Sequence, residues 1–299
     1  MNELIIIGAG PAGLSAALYA ARKMLDVLVL TQDVGGQLAL SGNVENYLGF
    51  KSIKGIDLVG KFEEHVKENN VKVVQGSQVI KLKKKRKKFL IETKKEKYEA
   101  GAVIITGGKK HRKLNVPGEE RLARKGVVYC AICDAPLFKD KAVAVVGGGN
   151  SALSAAIDLI PIAKKIYLIT MNKELTGEDI RRKRIIDSKK AEIIYSASTK
   201  EILGDKFVTG IKIDISGREK IIDVEGIFVE IGWETDVSFL PKEVKLNKSK
   251  EIIVDKENKT SLSGLFAAGD ITDIAFKQDI IAAGEGAKAA LSAYEYLKK

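Results

Sequence analysis

The sequence predicts an α/β protein of two doubly wound, three-layer domains, the second inserted into a discontinuous first, and three observations carry that prediction. Residues 4–18, LIIIGAGPAGLSAAL, recur as residues 143–157, VAVVGGGNSALSAAI, with Gly8, Gly10, Leu14, Ser15, Ala16 and Ala17 matched by Gly147, Gly149, Leu153, Ser154, Ala155 and Ala156. The register holds into the next apolar segment, where VLVLT (27–31) corresponds to IYLIT (166–170). Finally, AVIITGG (102–108) and SGLFAAGD (263–270) each read as a strand ending in a turn, on either side of the second copy, so the first domain closes around it. The 299 residues suffice for two domains with a core each.

In each copy a buried strand runs into a Gly-rich turn and then an Ala-rich helix, the Rossmann-like context in which GxGxxG carries weight. The first glycine permits the tight turn and the second lets backbone approach a pyrophosphate, while the third position, Gly13 or Ala152, keeps helix close to strand. The pyrophosphate then rests on the N–H groups and positive end of the helix. Candidate dinucleotide contacts are therefore Gly8, Gly10, Pro11, Ala12 and Gly13 in the first copy, and Gly147, Gly149, Asn150, Ser151 and Ala152 in the second. Two sites in one chain suggest a hydride taken from one dinucleotide and handed to another group, with a nicotinamide and a flavin as the natural pair. The expected division is 1–108 for the first part of the outer domain, 109–237 for the inserted one and 238–299 for the remainder, with crossings at Lys109–Leu114 and Gly232–Leu240.

Between the two copies the chain is strongly basic. Lysine and arginine number 50 against 39 acidic residues, a net +11, and the excess concentrates in Lys81–Lys88 (KLKKKRKK) and Lys94–Lys97. The run lies between the apolar segments Val71–Val74 and Phe89–Ile91 as a solvated hairpin turn would. No aromatic residues interleave for base stacking, which argues against nucleic acid, while an acidic protein substrate could still exploit the field.

The second copy is preceded by Cys130-Ala131-Ile132-Cys133-Asp134, which holds both cysteines of the chain. A CxxC presents two sulfurs from nearby backbone positions, commonly with a lowered thiolate pKa, so disulfide formation and exchange become easy. Asp134 could protonate a leaving thiolate. The two histidines, His65 and His111, lie far from the pair in sequence and no second CxxC exists, so no metal site is expected. Leu4–Ile7 follows no basic region and breaks at once into Gly8-Ala9-Gly10-Pro11, unlike a signal peptide, and no apolar run approaches membrane-helix length; a cytoplasmic location is expected.

Taken together, these landmarks resemble the low-molecular-weight thioredoxin reductases of bacteria and archaea across essentially the whole chain. The matching stretches are GAGPAGLSAALYAAR, GGQL (35–38), VENYLGF (44–50), ITGG (105–108), CAICD, VVGGGNSA (145–152), AAGD (267–270) and KQDIIAAGEGAKAA (277–290). The resemblance implies FAD in the outer domain, NADH or NADPH in the inner one, a homodimer, and a thioredoxin- or glutaredoxin-like protein disulfide as substrate. It also implies the order of events: hydride from nicotinamide to flavin, electrons from flavin to the Cys130/Cys133 disulfide, and rotation of the inner domain to present the dithiol. By position it makes Cys133 the flavin-proximal sulfur and Asp134 the acid. Gln37 and Asn46 would touch the flavin, Asp270 its ribityl or phosphate region and Gln278 the isoalloxazine side, with Gly35, Gly36, Leu38, Thr106, Gly107, Gly269, Lys277, Asp279 and Ile280 completing the FAD contacts. Larger glutathione-reductase-like relatives keep their cysteines near the first Gly-rich helix and use a C-terminal histidine, and neither feature is present.

The chain departs from this family after VLVLT's counterpart. Relatives that use NADPH carry His-Arg-Arg there and a further Arg, whose guanidinium forks bind the adenosine 2′-phosphate. Here the residues are Thr170-Met171-Asn172 and then Thr176. An acid for the ribose hydroxyl is also missing at Thr170, the nearest being Glu174. Lys173, Arg181 and Arg182 could compensate, although Arg181–Arg184 (RRKR) reads as a solvated helix face. NADH is favoured over NADPH, and reduced ferredoxin is a third donor. Ala135 stands where the family has glycine. Competing readings are a related flavoprotein that reduces a peroxiredoxin or uses ferredoxin, and a redox-sensing flavoprotein without turnover.

Overall fold

The computed structural model describes residues 2–41, 43–129 and 131–299, and the side chains of Asn43, Ile132 and Cys133 lie outside that description. The chain divides into an outer unit, Met1–Lys110 with Glu234–Lys299, and an inner unit, His111–Trp233.

The outer unit begins with β1 (Asn2–Ala9), α1 (Pro11–Arg22) and β2 (Val27–Val34), followed by α2 (Gln37–Leu40), the short ribbon β3 (Asn43–Val44) and β4 (Ile53–Lys54), and α3 (Gly55–Glu68). Then come β5 (Lys72–Val74), β6 (Val79–Lys85), β7 (Lys88–Thr93) and β8 (Lys97–Ile105). The strands form one sheet in the order β5-β2-β1-β8-β7-β6. β1 is apolar without alternation because both its faces are covered. Leu4 and Ile6 pack with Leu14, Ala17 and Ala290, whereas Ile5 and Ile7 pack with Leu30, Phe89 and Ile252.

The basic run differs from the expected turn. Lys81, Lys83 and Lys85 lie on β6, the sheet's edge strand, exposed on the face opposite buried Leu82, and the chain reverses only at Arg86 and Lys87, with Arg86 at φ 57°. The physical reason is a period of two that a single leucine anchors among lysines, and cationic side chains on an edge strand discourage further pairing. Lys84, on the inner face, escapes burial by spanning Phe89, its amine 5.6 Å from the ring centroid, and donating to the Ser263 carbonyl.

The chain leaves through β9 (Lys110–His111) into the inner unit: β10 (Val127–Val128), α4 (Ala131–Asp134), β11 (Ala142–Val146), α5 (Asn150–Leu159), β12 (Lys165–Ile169), α6 (Asp179–Asp187) and β13 (Ala191–Ile194). An antiparallel meander follows, β14 (Ala197–Gly204), β15 (Val208–Ile215) and β16 (Arg218–Asp223), and then β17 (Gly226–Val229). The parallel sheet runs β10-β17-β11-β12-β13. It is the middle of three layers: Val143 and Val145 pack on the helix side with Leu153 and Ile185, Ala144 and Val146 on the meander side with Ile211 and Ile222. Ala135 is buried in the helix-side cluster with Phe138, so its methyl is part of the core.

β18 (Trp233–Glu234) leads back and pairs with β9. The outer unit is completed by β19 (Leu265–Ala267), which adds in parallel to the second half of β8, and by α7 (Asp279–Leu297). α7 approaches α1 so closely that a Cβ on Gly286 would lie 2.0 Å from the Ala12 carbonyl oxygen. Among the described residues no helix is long and apolar enough to cross a membrane.

Candidate cofactor and redox sites

The two Gly-rich turns are built alike, and their glycines divide into two kinds. Gly8 has φ +111°, and a Cβ there would sit 2.5 Å from the Thr106 carbonyl oxygen; one on Gly13 would sit 2.0 Å from the Gly8 oxygen. Buried Thr106 fixes this crossing, its hydroxyl donating to the carbonyls of Ile7 (3.0 Å) and Gly8 (2.9 Å). Packing alone thus accounts for those two glycines. Gly10 is different: its φ of −76° and ψ of −174° suit any residue, and a Cβ would meet only the Gly35 oxygen, at 4.0 Å. It begins α1, which has Pro11 in its first turn and no side-chain cap, so the first N–H groups, those of Ala12 and Gly13, remain available. A cradle that the protein itself could fill but leaves open, at an uncapped helix start, fits a pyrophosphate.

Other candidate residues gather around this turn. Gly35 donates its N–H to Ala9 and Gly36 has φ +54° with its Cβ position 3.8 Å from Gly10 Cα, so both border the cradle. Gln37 opens α2 and its amide donates to the Lys109 carbonyl at 3.3 Å. Leu38 is fully buried with Leu58 and Val59 and anchors α2. Asn46 donates to Gln278 Oε1 at 3.0 Å, which joins two exposed amides far apart in sequence. Gly269 (φ +76°) and Asp270 form a 3-10 turn after β19, and the side chain of Ile271 in that turn bounds the Cβ position of Gly107 at 3.4 Å.

The carboxyl groups of Asp270 and Asp279 are raised by burial, Asp279 further by the charge of Asp270. Lys277 and Lys109 pull Asp270 the other way. Both lysines are held by Glu251, at 3.3 and 2.6 Å, and Lys277 also donates to the Thr272 carbonyl. Ile280 is exposed in the first turn of α7, another helix with no side-chain cap.

In the inner unit, Gly147 (φ +143°) would place a Cβ 2.2 Å from the Glu230 carbonyl oxygen, whereas a Cβ on Gly149 would meet only Thr176 Oγ1, at 3.9 Å. Gly149 begins α5, again without a side-chain cap, and Asn150, Ser151 and Ala152 form its first turn. Asn150 and Ser151 border a cavity of about 660 Å³ that also takes in Thr170, Met171, Asn172, Ser198, Thr199, Arg112 and Glu230, whereas Ala152 is buried in the core beneath it. Arg181 and Arg182 do not reach it: Arg181 binds Glu178 and Ser154, and Arg182 binds Asp179 and the Leu175 carbonyl. The Asn150 side chain accepts from the Glu178 N–H at 2.8 Å, which ties the start of α5 to the start of α6. Arg112 and Glu230 escaped the sequence reading because neither belongs to a motif.

Of the redox candidates, Cys130 lies outside the described residues, and Cys133 is placed on α4 with its side chain outside them. Asp134 ends that helix, and burial raises its carboxyl. A carboxyl held partly out of water keeps its proton to higher pH, which suits a donor to a leaving thiolate.

The pyridine nucleotide-disulphide oxidoreductase family model matches residues 2–290. A Bacillus subtilis (strain 168) NADH dehydrogenase is 41% identical over 300 residues, covering 99% of this chain and 58% of its own, so this chain spans about three fifths of that relative's length. Among solved structures, Lactococcus lactis thioredoxin reductase matches with a TM-score of 0.82 at 30% identity, covering 100% of this chain and 99% of its own. The thioredoxin reductase of T. acidophilum matches at 0.79 with 41% identity over 98% of both chains. With two Gly-rich turns of one design, a cysteine pair before the second and a family match over nearly its full length, this oxidoreductase chain belongs to the pyridine nucleotide-disulphide oxidoreductases, in their thioredoxin reductase-like form.

Proposed function

We propose that the chain uses FAD to pass electrons from NADH, through Cys130 and Cys133, to the disulfide of a thioredoxin- or glutaredoxin-like protein. The observation that carries this is the pair of open glycines, Gly10 and Gly149, at uncapped helix starts in the two units, with the CxxC on the inner one. Bound in the outer unit, a flavin supplies two-electron chemistry between a nicotinamide and a disulfide. Ala12 and Gly13 would hold its pyrophosphate, Asp270 its ribityl region, and Gln37, Asn46 and Gln278 the polar edge of its ring. Asp134 would supply the proton that a released thiolate takes up. The homodimer belongs to the same reading, and sedimentation should show a species of twice the chain mass.

NADH is preferred because the cavity has no paired guanidinium clamp: Arg181 and Arg182 are spent within α6 and its neighbours, leaving Arg112 as the guanidinium among the cavity's described lining residues. The relative named NADH dehydrogenase points the same way. An anaerobic titration of the holoenzyme with each nucleotide, followed at the visible flavin band, tests donor and cofactor together. NADH should bleach it with an affinity at least about tenfold tighter than NADPH, the worth of one missing charge-assisted contact. NADPH winning would overturn the donor assignment, and bleaching by neither would make reduced ferredoxin the donor to test.

The lysines along β6 give a further expectation. If they steer an acidic protein substrate, the second-order rate constant for its reduction should fall roughly tenfold or more between low and physiological salt. A flat salt profile would remove that role.

A further inference from the structure

The end of the second strand of a dinucleotide fold normally presents the side chain that meets the adenosine ribose. In the inner unit that place, just past β12, is held by Thr170, which is buried and whose hydroxyl is turned to the protein. It accepts the Asn172 N–H at 3.2 Å and fills the space that a Cβ on Gly148 would need. The ribose is thereby left to a neighbouring element. β14 is that neighbour, because the Ala197 N–H donates to the Thr170 carbonyl at 2.9 Å and the Ser196 N–H to that of Asn172 at 3.0 Å. The next two residues of β14, Ser198 and Thr199, both line the cavity that the Gly149 turn borders.

Two features single out Thr199. The ladder between β14 and β15 slips directly after it, from Thr199 opposite Ile213 to Glu201 opposite Lys212, so Lys200 is an extra residue. Such a bulge bends its strand and re-aims side chains, often beside a site. Second, Thr199 Oγ1 is buried without a hydrogen-bond partner, a condition it shares among the described residues with Asn258 Oδ1 alone. The Asn258 amide is nevertheless engaged through its nitrogen, with the Ala267 carbonyl at 2.9 Å and Glu285 at 2.7 Å. The Thr199 hydroxyl has no second polar atom to engage. A buried hydroxyl without a partner costs stability, and valine would fill the same volume without that cost. One staggered step about χ1 moves the oxygen to a neighbouring substituent's place while the backbone stays in the ladder.

We propose that Thr199 is a specificity-determining residue for the nicotinamide nucleotide, its hydroxyl bonding the adenosine 2′-hydroxyl. The inference rests on the proposed use of NADH and names the group that recognises its unphosphorylated ribose. A hydroxyl both donates and accepts, so it suits a ribose hydroxyl, and being neutral it offers no charge to a 2′-phosphate. It performs the task that an acid in the place of Thr170 would have.

The test measures binding by calorimetry on the oxidised, flavin-loaded protein, so that no electron transfer enters. Thr199→Val should weaken NAD+ about three- to tenfold, the scale of one hydrogen bond. It should leave unchanged the affinity for NAD+ that lacks the adenosine 2′-hydroxyl, because that ligand has already lost the partner. Thr199→Ser, which keeps the hydroxyl, should bind NAD+ within about twofold of the unsubstituted protein. In thermal melts without nucleotide, Thr199→Val should be as stable as the unsubstituted protein or more so. Unchanged NAD+ affinity in Thr199→Val would overturn the proposal, as would an equal loss for both ligands. A valine variant that melts lower or does not fold would also overturn it, by making the hydroxyl a structural group. If NAD+ binds with the expected pattern but NADH does not reduce the flavin, the proposed function fails and the assignment of Thr199 stands.

Discussion

Cys133→Ser is expected to lower reduction of a thioredoxin-type disulfide by about a thousandfold or more, the usual scale for removing a nucleophile that acts as part of a unit, while the flavin still bleaches with NADH. The chain offers no substitute. Its only other cysteine is Cys130, and an isolated thiol there can begin an exchange but cannot close an internal disulfide to finish it. A second readout is stoichiometry. The unsubstituted protein should take up more than one two-electron equivalent in an anaerobic titration, flavin plus disulfide, and Cys133→Ser only the flavin's share. Full turnover with the physiological partner in the variant would eliminate the disulfide route and favour a reductase that works through flavin alone. Asp134 refines the same experiment: burial raises its carboxyl, so Asp134→Asn should slow protein-disulfide reduction while leaving the uptake of electrons unchanged.

Much of the architecture was legible in the repeat, because a strand, a Gly-rich turn and an Ala-rich helix form a local unit whose parts follow one another in sequence. β1 with α1 and β11 with α5 are its two realisations. Contacts that join distant segments left no such trace. Asn46 finds Gln278, and Lys109 and Lys277 converge on Glu251, only through the fold. The Glu230 carbonyl meets Gly147 because β17 lies beside β11, an adjacency that no periodicity encodes. The basic run was misleading for another reason. With Leu82 the sole apolar residue between Lys81 and Lys88, composition speaks for a turn while the strand alternation rests on one side chain. Arg181 and Arg182 show the limit of counting charges: both lie on α6 with local partners, Ser154, Glu178, Asp179 and the Leu175 carbonyl, and neither lines the cavity.

Alanine at Gly8 and alanine at Gly10 should have opposite consequences, although the residues are two apart in one turn. At Gly8 the methyl would lie 2.5 Å from the Thr106 carbonyl, on a backbone at φ +111° that an L-residue rarely adopts. The neighbour is main chain just past the end of β8, held by the Thr106 N–H and hydroxyl bonds to Ile7 and Gly8, so it cannot move aside cheaply. Strain and clash together should cost about 2–4 kcal/mol and lower the unfolding midpoint by roughly 5–10 °C. At Gly10 the backbone accepts alanine and the nearest atom is 4.0 Å away, so the apoprotein should be as stable as before or slightly more so. The methyl would instead occupy the approach to the N–H groups of Ala12 and Gly13, and FAD should bind at least about a hundredfold more weakly, about 2.8 kcal/mol or more of lost phosphate contact. Thermal melts of apoprotein and flavin release by dialysis separate the two. If Gly10→Ala kept its flavin at full affinity, the open cradle would not be the pyrophosphate site, and the assignment of the outer unit to FAD would lose the observation on which it stands.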